Sequence, residues 1–373
     1  MKNHGPLKRI LTQTILHWDR DGFRPEVRQA FGKALQCRTA ALGAEVYGSQ
    51  DQELTVYHTC KSPACTSCGH RANKQWQRER WAALPDVKYK GITFTMPKEL
   101  WGLFADNRAL ADALPALAAG VLEAWMSARY GLRVGVMAIL HTFNGYLEFN
   151  SHIHAMVSAG GLRASANCWV ASVFFDRDRL MKYWRAAVVK LLQTAHHTGR
   201  LRCEMTFDQV EEMLNQQANR WWSIKIQSFR SSEHFLRYAG RYVRRPPIAQ
   251  RRITYKRRIT YIGKHTVSFW TKDKKSGKRV GVQCTPEEFI DRWAQHIPGR
   301  YKHAVRHFGL FAPRAVTQTS AVIFGIIGQK QRPRPRRRRW AESLKMDFGR
   351  DPLLDRSGHR MRWVRRLTPQ APG

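Results

Sequence analysis

Apolar and polar residues alternate along this chain in two different rhythms. Short runs with strand character, "YKGITFTMP", "VGVMAILHTF", "HIHAMVSAGG" and "WWSIKIQSF", begin at about residue 88 and are rich in β-branched and aromatic residues. Between them, "ELWGLFADNRALADALPALAAGVLEAWMSARYG" and "DRDRLMKYWRAAVVKLLQTAHHTG" carry apolar residues at helical spacing, which predicts helices with one face packed on the strands. Strands interleaved with long helices define an α+β domain over residues 89–313. Residues 1–88 read as a small module that ends in a polar helix, "RANKQWQRERWAALP", stopped at Pro85. Past residue 313 the composition shifts through "QKQRPRPRRRRW". Like charges with interleaved prolines repel and cannot build a core, so residues 314–373 are expected to be a basic, largely disordered tail.

Charge changes this picture from a fold into a partner. The chain has 373 residues with 64 Lys+Arg against 28 Asp+Glu, a formal net charge of +36. Such a surface calls for a polyanion, and nucleic acid is the first choice. A membrane is the competing polyanion, but the sequence shows no uninterrupted apolar stretch of about 18 residues, and "MKNHGPLKRILTQ" has no signal-peptide apolar core. The expected location is therefore the cytoplasm, with no membrane partner. Seven cysteines, three of them bunched, suit reduced thiols or a metal site better than a disulfide framework.

In "YHTCKSPACTSCGH" the thiols of Cys60, Cys65 and Cys68 are close in sequence, and Gly69 after the Cys-x2-Cys pair suits a turn that aims both sulfurs at one tetrahedral ion. Zn²⁺ is the natural occupant. Cys37, His58 and His70 are the candidates for the fourth ligand. In "EFNSHIHAMVSAGG", successive side chains of a strand point to opposite faces, so His152 and His154 project together and can grip one cation. If the strand stays regular upstream, Glu148 shares that face and becomes the candidate third ligand.

The stretch "SSEHFLRYAGRYVRR" predicts a helix capped by Ser231 or Ser232. Residues four apart on a helix stand one above the other, so Tyr238 and Tyr242 share one side with Phe235. Alone, that is also the pattern of a core stripe. The flanking Arg237, Arg241, Arg244 and Arg245 suit a helix lying beside phosphates, where guanidinium groups favour a phenolate. Metal-binding histidines, paired phenols and a cationic surface together point to phosphoryl transfer on DNA.

These residues resemble a known family, the rolling-circle insertion-sequence transposases of the insertion sequence ninety-one type, within the HUH endonuclease superfamily. His152-Ile153-His154 fits the His-hydrophobic-His signature, and "RYAGRYVRR" resembles Tyr-Leu-Gly-Arg-Tyr with Ala239 in place of Leu. Similarity continues through "VYHTCKSPACTSCG", "ITFTMPKELW", "LHTF", "WWSIKIQSF" and "RWAQHIPGRYKHAVRHFGLFAPR", across most of residues 37–315. The resemblance implies a central antiparallel sheet of HUH nuclease type with helical insertions, Mg²⁺ or Mn²⁺ on the histidines, and Tyr238 and Tyr242 as catalytic nucleophiles. It further implies single-stranded DNA at transposon ends and target as substrate, cut through a 5′-phosphotyrosine link. No Gly-x4-Gly-Lys-Ser/Thr motif is present, so strand separation would fall to a host helicase. Two departures stand out. Where the family carries a further Cys-x2-Cys pair the chain reads "YGSQDQEL", and where it carries a C-terminal Cys pair the chain reads "DPLLDRSGHRMRWV". The alternatives are a non-catalytic DNA-binding relic and a rolling-circle replication initiator of the same superfamily.

Overall fold

The computed structural model describes residues 5–62, 64–243, 246–257, 265–273 and 276–370. Its centre is a five-stranded sheet in the order Arg306–Gly309, Gly135–Phe143, Phe149–Ser158, Tyr89–Phe94, Ile224–Phe229. Every neighbouring pair in it is antiparallel. The alternation of side chains gives this sheet two different faces. Ile153, Ala155 and Val157 join Ile92, Phe94, Val136 and Ala138 in a core roofed by the helices Arg108–Tyr130, Arg177–His197 and Phe207–Asn219. Met156 joins Met137, Ile139 and Tyr89 on the opposite face, under Phe235, Leu236 and Ala239 of the helix Ser232–Ala239. Strand parity therefore turns His152 and His154 toward the tyrosine-bearing helix, because they share their face with Met156.

Two of the roofing helices, Arg108–Tyr130 and Arg177–His197, fall in the stretches with helical spacing. Arg108–Tyr130 presents Leu114, Ala118, Leu122 and Trp125 to the core and stops at Gly131, whose φ of 62° is the left-handed conformation that glycine adopts without steric cost. Among the described residues it is the one helix long and apolar enough to cross a membrane by length and composition, and here it packs on the sheet and on Arg177–His197. Asp176 accepts from the amides of Asp178 and Arg179 at the start of Arg177–His197, and Thr206 and Gln209 form a capping box on Phe207–Asn219.

Both ends of the chain are tied into the rest of the fold. Leu7, Ile10, Phe31 and Cys37 pack with Val267, Phe269, Phe289 and Trp293, so the helices Pro6–Gln13 and Pro25–Gln36 share a core with the sheet Ile253–Arg257, His265–Lys272, Arg279–Cys284 and the helix Pro286–Ala294. Residues 314–370, expected to be a largely disordered tail, carry regular structure instead. They form helices Pro313–Ile326 and Trp340–Phe348 and a strand, Arg362–Leu367, that pairs with Ala44–Gly48 and completes a three-stranded sheet with Glu53–Tyr57. The reason is partly electrostatic. Arg366 donates to Glu45 at 2.8 Å, Trp363 Nε1 to Glu45 at 2.7 Å, and Arg365 pairs with Glu53 at 3.2 Å, so this part of the tail finds acidic partners. Exposed pairs of this kind contribute up to about 1 kcal/mol each, and the backbone ladder adds to them.

Candidate functional site

Two clusters of metal-ligating side chains stand out. In the first, the Sγ atoms of Cys37, Cys60, Cys65 and Cys68 all lie within 4.8 Å of one another. The Cys60 and Cys68 sulfurs are 3.6 Å apart. With Zn–S bonds of about 2.3 Å, a tetrahedral site needs sulfurs about 3.8 Å apart, so the spacing fits. Cys37, which closes the set, comes from the end of the helix Pro25–Gln36, while the loop after Tyr57 brings the other three. Its thiol is lowered to about 7, first by a hydrogen bond with Cys60. Lys8 donates to the Cys37 carbonyl and lies near enough to the thiols for their charge to oppose the burial that lowers its own pKa. Four cysteines with a cation alongside form the donor set that Zn²⁺ prefers. His58 is turned away, its Nδ1 on the Leu42 carbonyl at 2.9 Å, and His70 pairs with Asp347 at 3.1 Å, so neither joins the set.

Two stretches far apart in the chain, residues 47–54 and 351–364, are also brought together. Ser49 Oγ donates to Asp355 at 2.7 Å, and His359 lies 3.7 Å from Asp51 and 3.8 Å from Asp355. Hydrogen bonds and ion pairs close this corner of the fold.

The second cluster lies on the sheet face that looks toward the tyrosines. His152 and His154 lie there, and the third member is His141, with ligand nitrogens of all three within 4.8 Å of one another. Register explains the choice: His141 pairs directly with His152, and Ile139 with His154. Glu148 is not part of the cluster. It precedes the strand in a turn where Leu147 has φ 61°, it is exposed, and its carboxylate accepts from Asn144 Nδ2 at 2.7 Å. A register shift between His141 and Phe143 marks where the regular alternation breaks, so parity does not carry back to residue 148.

Hydrogen bonds set the histidine tautomers. A carbonyl oxygen only accepts, so His152 Nδ1, 2.8 Å from the Asn150 carbonyl, carries its proton, as does His141 Nε2, 3.2 Å from the Tyr242 carbonyl. His154 Nδ1 lies 3.3 Å from Thr93 Oγ1, which can accept in the same way. A hydrogen bond on one nitrogen of each ring is the arrangement that orients imidazole ligands for a metal on the other.

Tyr242 lies directly on this cluster. Its ring stacks on His154 with centroids 3.7 Å apart at 22°, and meets His141 edge-on at 5.1 Å. Tyr238 is one step further out. It is buried against Phe229 at 4.9 Å and meets the Tyr242 ring at 5.0 Å. Gly91 lets it approach the sheet, since a Cβ there would come within 3.2 Å of the Tyr238 ring. The α-helix itself ends at Ala239, so Tyr242 stands in the turn that follows rather than on the helix proper. Of the arginines, Arg241 lies over the Tyr238 ring at 5.6 Å and Arg237 pairs with Glu233 at 2.6 Å on the exposed side. Arg244 and Arg245 lie outside the described residues.

His141 went unassigned in the sequence because "LHTF" contains a single histidine on a strand of its own, and only the cross-strand register brings it to the pair.

Comparison with known proteins follows the same division. Residues 9–96, which hold the cysteine cluster, match the family model described as "Transposase zinc-binding domain". Residues 135–319, which hold the three histidines and both tyrosines, match the one described as "Putative transposase". The chain is 30% identical over 329 residues, 84% of this chain and 78% of the relative, to the transposase for insertion sequence element IS801 of Pseudomonas savastanoi pv. phaseolicola. It is 26% identical over 332 residues, 82% of this chain and 81% of the relative, to "Putative transposase y4qJ" of Sinorhizobium fredii (strain NBRC 101917 / NGR234). No solved structure matches it. With both models matched in tandem and one relative aligned along most of both chains, the chain belongs to the IS91/IS801 family of insertion-sequence transposases.

Proposed function

We propose that this transposase cuts and rejoins single-stranded DNA at the ends of its element through a 5′-phosphotyrosine intermediate, with Tyr242 as the nucleophile nearest the metal. The observation that carries this reading is the Tyr242 ring stacked 3.7 Å from His154, one of three histidines with ligand nitrogens within 4.8 Å of one another. A divalent ion bound there would neutralise the non-bridging oxygens of the scissile phosphate and stabilise the departing oxygen. Three imidazoles are better donors to Mn²⁺ than to Mg²⁺, which prefers oxygen ligands, so Mn²⁺ is the better-suited ion of the two.

The Tyr242 phenolate oxygen attacks phosphorus. The bond from phosphorus to the 3′ oxygen breaks, that oxygen takes a proton to become a free 3′-hydroxyl, and the phosphate stays on tyrosine through its 5′ side. Attack by a 3′-hydroxyl on the phosphotyrosine reverses the step and joins two strands. A phenol of pKa about 10 is mostly protonated at neutral pH, so a nearby cation has to favour the phenolate. Tyr238, with its ring 5.0 Å from Tyr242 and Arg241 over it, supplies a second nucleophile that cuts another end while the first stays linked.

The test mixes the protein with single-stranded oligonucleotides from the element's ends and Mn²⁺ and looks for a denaturation-resistant adduct. Wild type is expected to form it, Tyr242→Phe to lose most of it, and the double variant with Tyr238→Phe to form none. An adduct that persists in the double variant, or no adduct from wild type on the correct end, overturns the reading.

A further inference from the structure

Tyr242 stands beyond the last α-helical residue, Ala239, in a turn whose amides bond back to the helix, Arg241 to the Tyr238 carbonyl at 3.0 Å and Tyr242 to the Ala239 carbonyl at 2.9 Å. Side chains from outside the helix hold this turn as well. Asn73, on the helix His70–Ala83, donates through Nδ2 to the carbonyl of Gly240 at 2.5 Å and to that of Val243 at 3.1 Å. These two carbonyls bracket Arg241 and Tyr242. Gln77, one turn along the same helix, donates through Nε2 to Asn73 Oδ1 at 3.0 Å. That bond fixes which end of the Asn73 amide is the donor, since an oxygen turned toward the two carbonyls would repel them. From the other side His141 donates to the Tyr242 carbonyl at 3.2 Å.

We propose that Asn73, oriented by Gln77, is a positioning residue for Tyr242: it clamps the backbone on both sides of the nucleophile so that the phenol stays stacked on the histidine cluster. This inference rests on the reading of Tyr242 as nucleophile. The glycine of "YAGRY" follows from the same clamp. Its φ of −58° is open to any residue, so conformation does not demand glycine there. A Cβ at Gly240 would lie 2.2 Å from Gln77 Nε2 and 3.1 Å from Asn73 Oδ1, so the end of the Gln77 side chain would have to swing off Asn73. The clamp also ties the nucleophile to the cysteine cluster. Its helix starts at His70, two residues after Cys68, and the Asn73 amide itself bonds the Gly69 carbonyl at 2.8 Å. The first turn of this helix is thereby placed by the loop that presents the thiols.

The experiment uses the full-length protein, an end oligonucleotide and Mn²⁺, and maps by peptide mass which tyrosine carries the DNA. In Asn73→Ala the ratio of Tyr242-linked to Tyr238-linked adduct is expected to fall tenfold or more, the scale of two lost hydrogen bonds. Asn73→Asp, which has no donor to offer, is expected to fall at least as far. Gln77→Ala keeps Asn73 but frees its amide, and falls by a smaller factor in the same direction. A general loss of stability would lower both adducts together, so an unchanged ratio in all three variants overturns the proposal. A second arm needs no activity. Tyr242 is half-buried with one ring face on His154, and its nitration by tetranitromethane is expected to quicken severalfold in Asn73→Ala. Should wild type form no adduct, the reading of the nucleophile fails while the nitration result still decides whether Asn73 holds Tyr242. Unchanged nitration rules the clamp out.

Discussion

At the scale of single residues, the candidate centre turns on which side chain completes the histidine pair. Parity along one strand nominates Glu148, whereas pairing between strands brings in His141, and the two make opposite demands on a metal. A carboxylate would suit Mg²⁺, and a third imidazole shifts the preference toward Mn²⁺. His141→Ala is expected to weaken Mn²⁺ binding by more than the roughly 10- to 100-fold that loss of an outer hydrogen-bond partner costs. Glu148→Ala is expected to leave it within about twofold, because that carboxylate is exposed and occupied by Asn144. Titration of the metal, followed by the paramagnetic signal of free Mn²⁺, separates the two, and the reverse ranking would restore the glutamate. Cys37 teaches the same lesson at the other cluster. It is 23 residues from Cys60 in the chain, and only the fold selects it over His58, whose ring is committed to the Leu42 carbonyl.

At the scale of elements, the hairpin that carries the histidines is pinned from outside the sheet. His296, just past the helix Pro286–Ala294, lies with Nδ1 3.2 Å from Thr142 Oγ1 and Nε2 3.2 Å from the Leu147 carbonyl, and so holds both sides of the turn. Burial lowers its pKa from 6.5 to about 4, and the nearby Arg108 guanidinium acts in the same direction. The unfolded chain then takes up a proton near pH 6.5 that the folded chain refuses until about 4. Stability is full above 6.5, falls as pH drops through that window, and is level below it. The shift corresponds to roughly 3 kcal/mol. His307 is lowered to about 4 by burial as well and adds a loss of the same sign. Denaturant unfolding at pH 7.5 and pH 4 is therefore expected to show a large loss in wild type that shrinks by roughly 3 kcal/mol in His296→Gln. An unchanged loss would remove His296 from the account. Four strands of the sheet were legible in the sequence, because "YKGITFTMP", "VGVMAILHTF", "HIHAMVSAGG" and "WWSIKIQSF" carry their own apolar and β-branched signal. Arg306–Gly309 was not, being a four-residue edge strand of mixed polarity. Arg362–Leu367 was not either, because its six residues are all exposed and its partners are glutamates some 300 positions earlier. The tyrosine spacing was legible, but the bonds from Asn73 to the turn that carries Tyr242 were not, because no local pattern connects residue 73 to residues 240 and 243.

At the scale of the whole molecule, the cysteine cluster is built into the same body as the rest of the protein. Cys37 and Cys65 belong to the core that joins the N-terminal helices to Phe269, Phe289 and Trp293, and His296, which grips the histidine hairpin, follows directly from that core. A second route runs from Cys68 through the helix His70–Ala83 to Gly240 and Val243. A ligand that binds only the folded form stabilises everything that unfolds with it, and structural zinc sites contribute about 10 kcal/mol or more in small domains. Stripping zinc with a strong chelator is therefore expected to lower the main calorimetric transition of the full chain rather than melt a separate module. It is also expected to lower adduct formation along with that transition, even when Mn²⁺ is added back. Substituting Cys60 and Cys68 by serine should reproduce both effects without a chelator. If residues 1–88 were an independent module, two transitions would appear, and the one belonging to the sheet that carries His152 and His154 would not move.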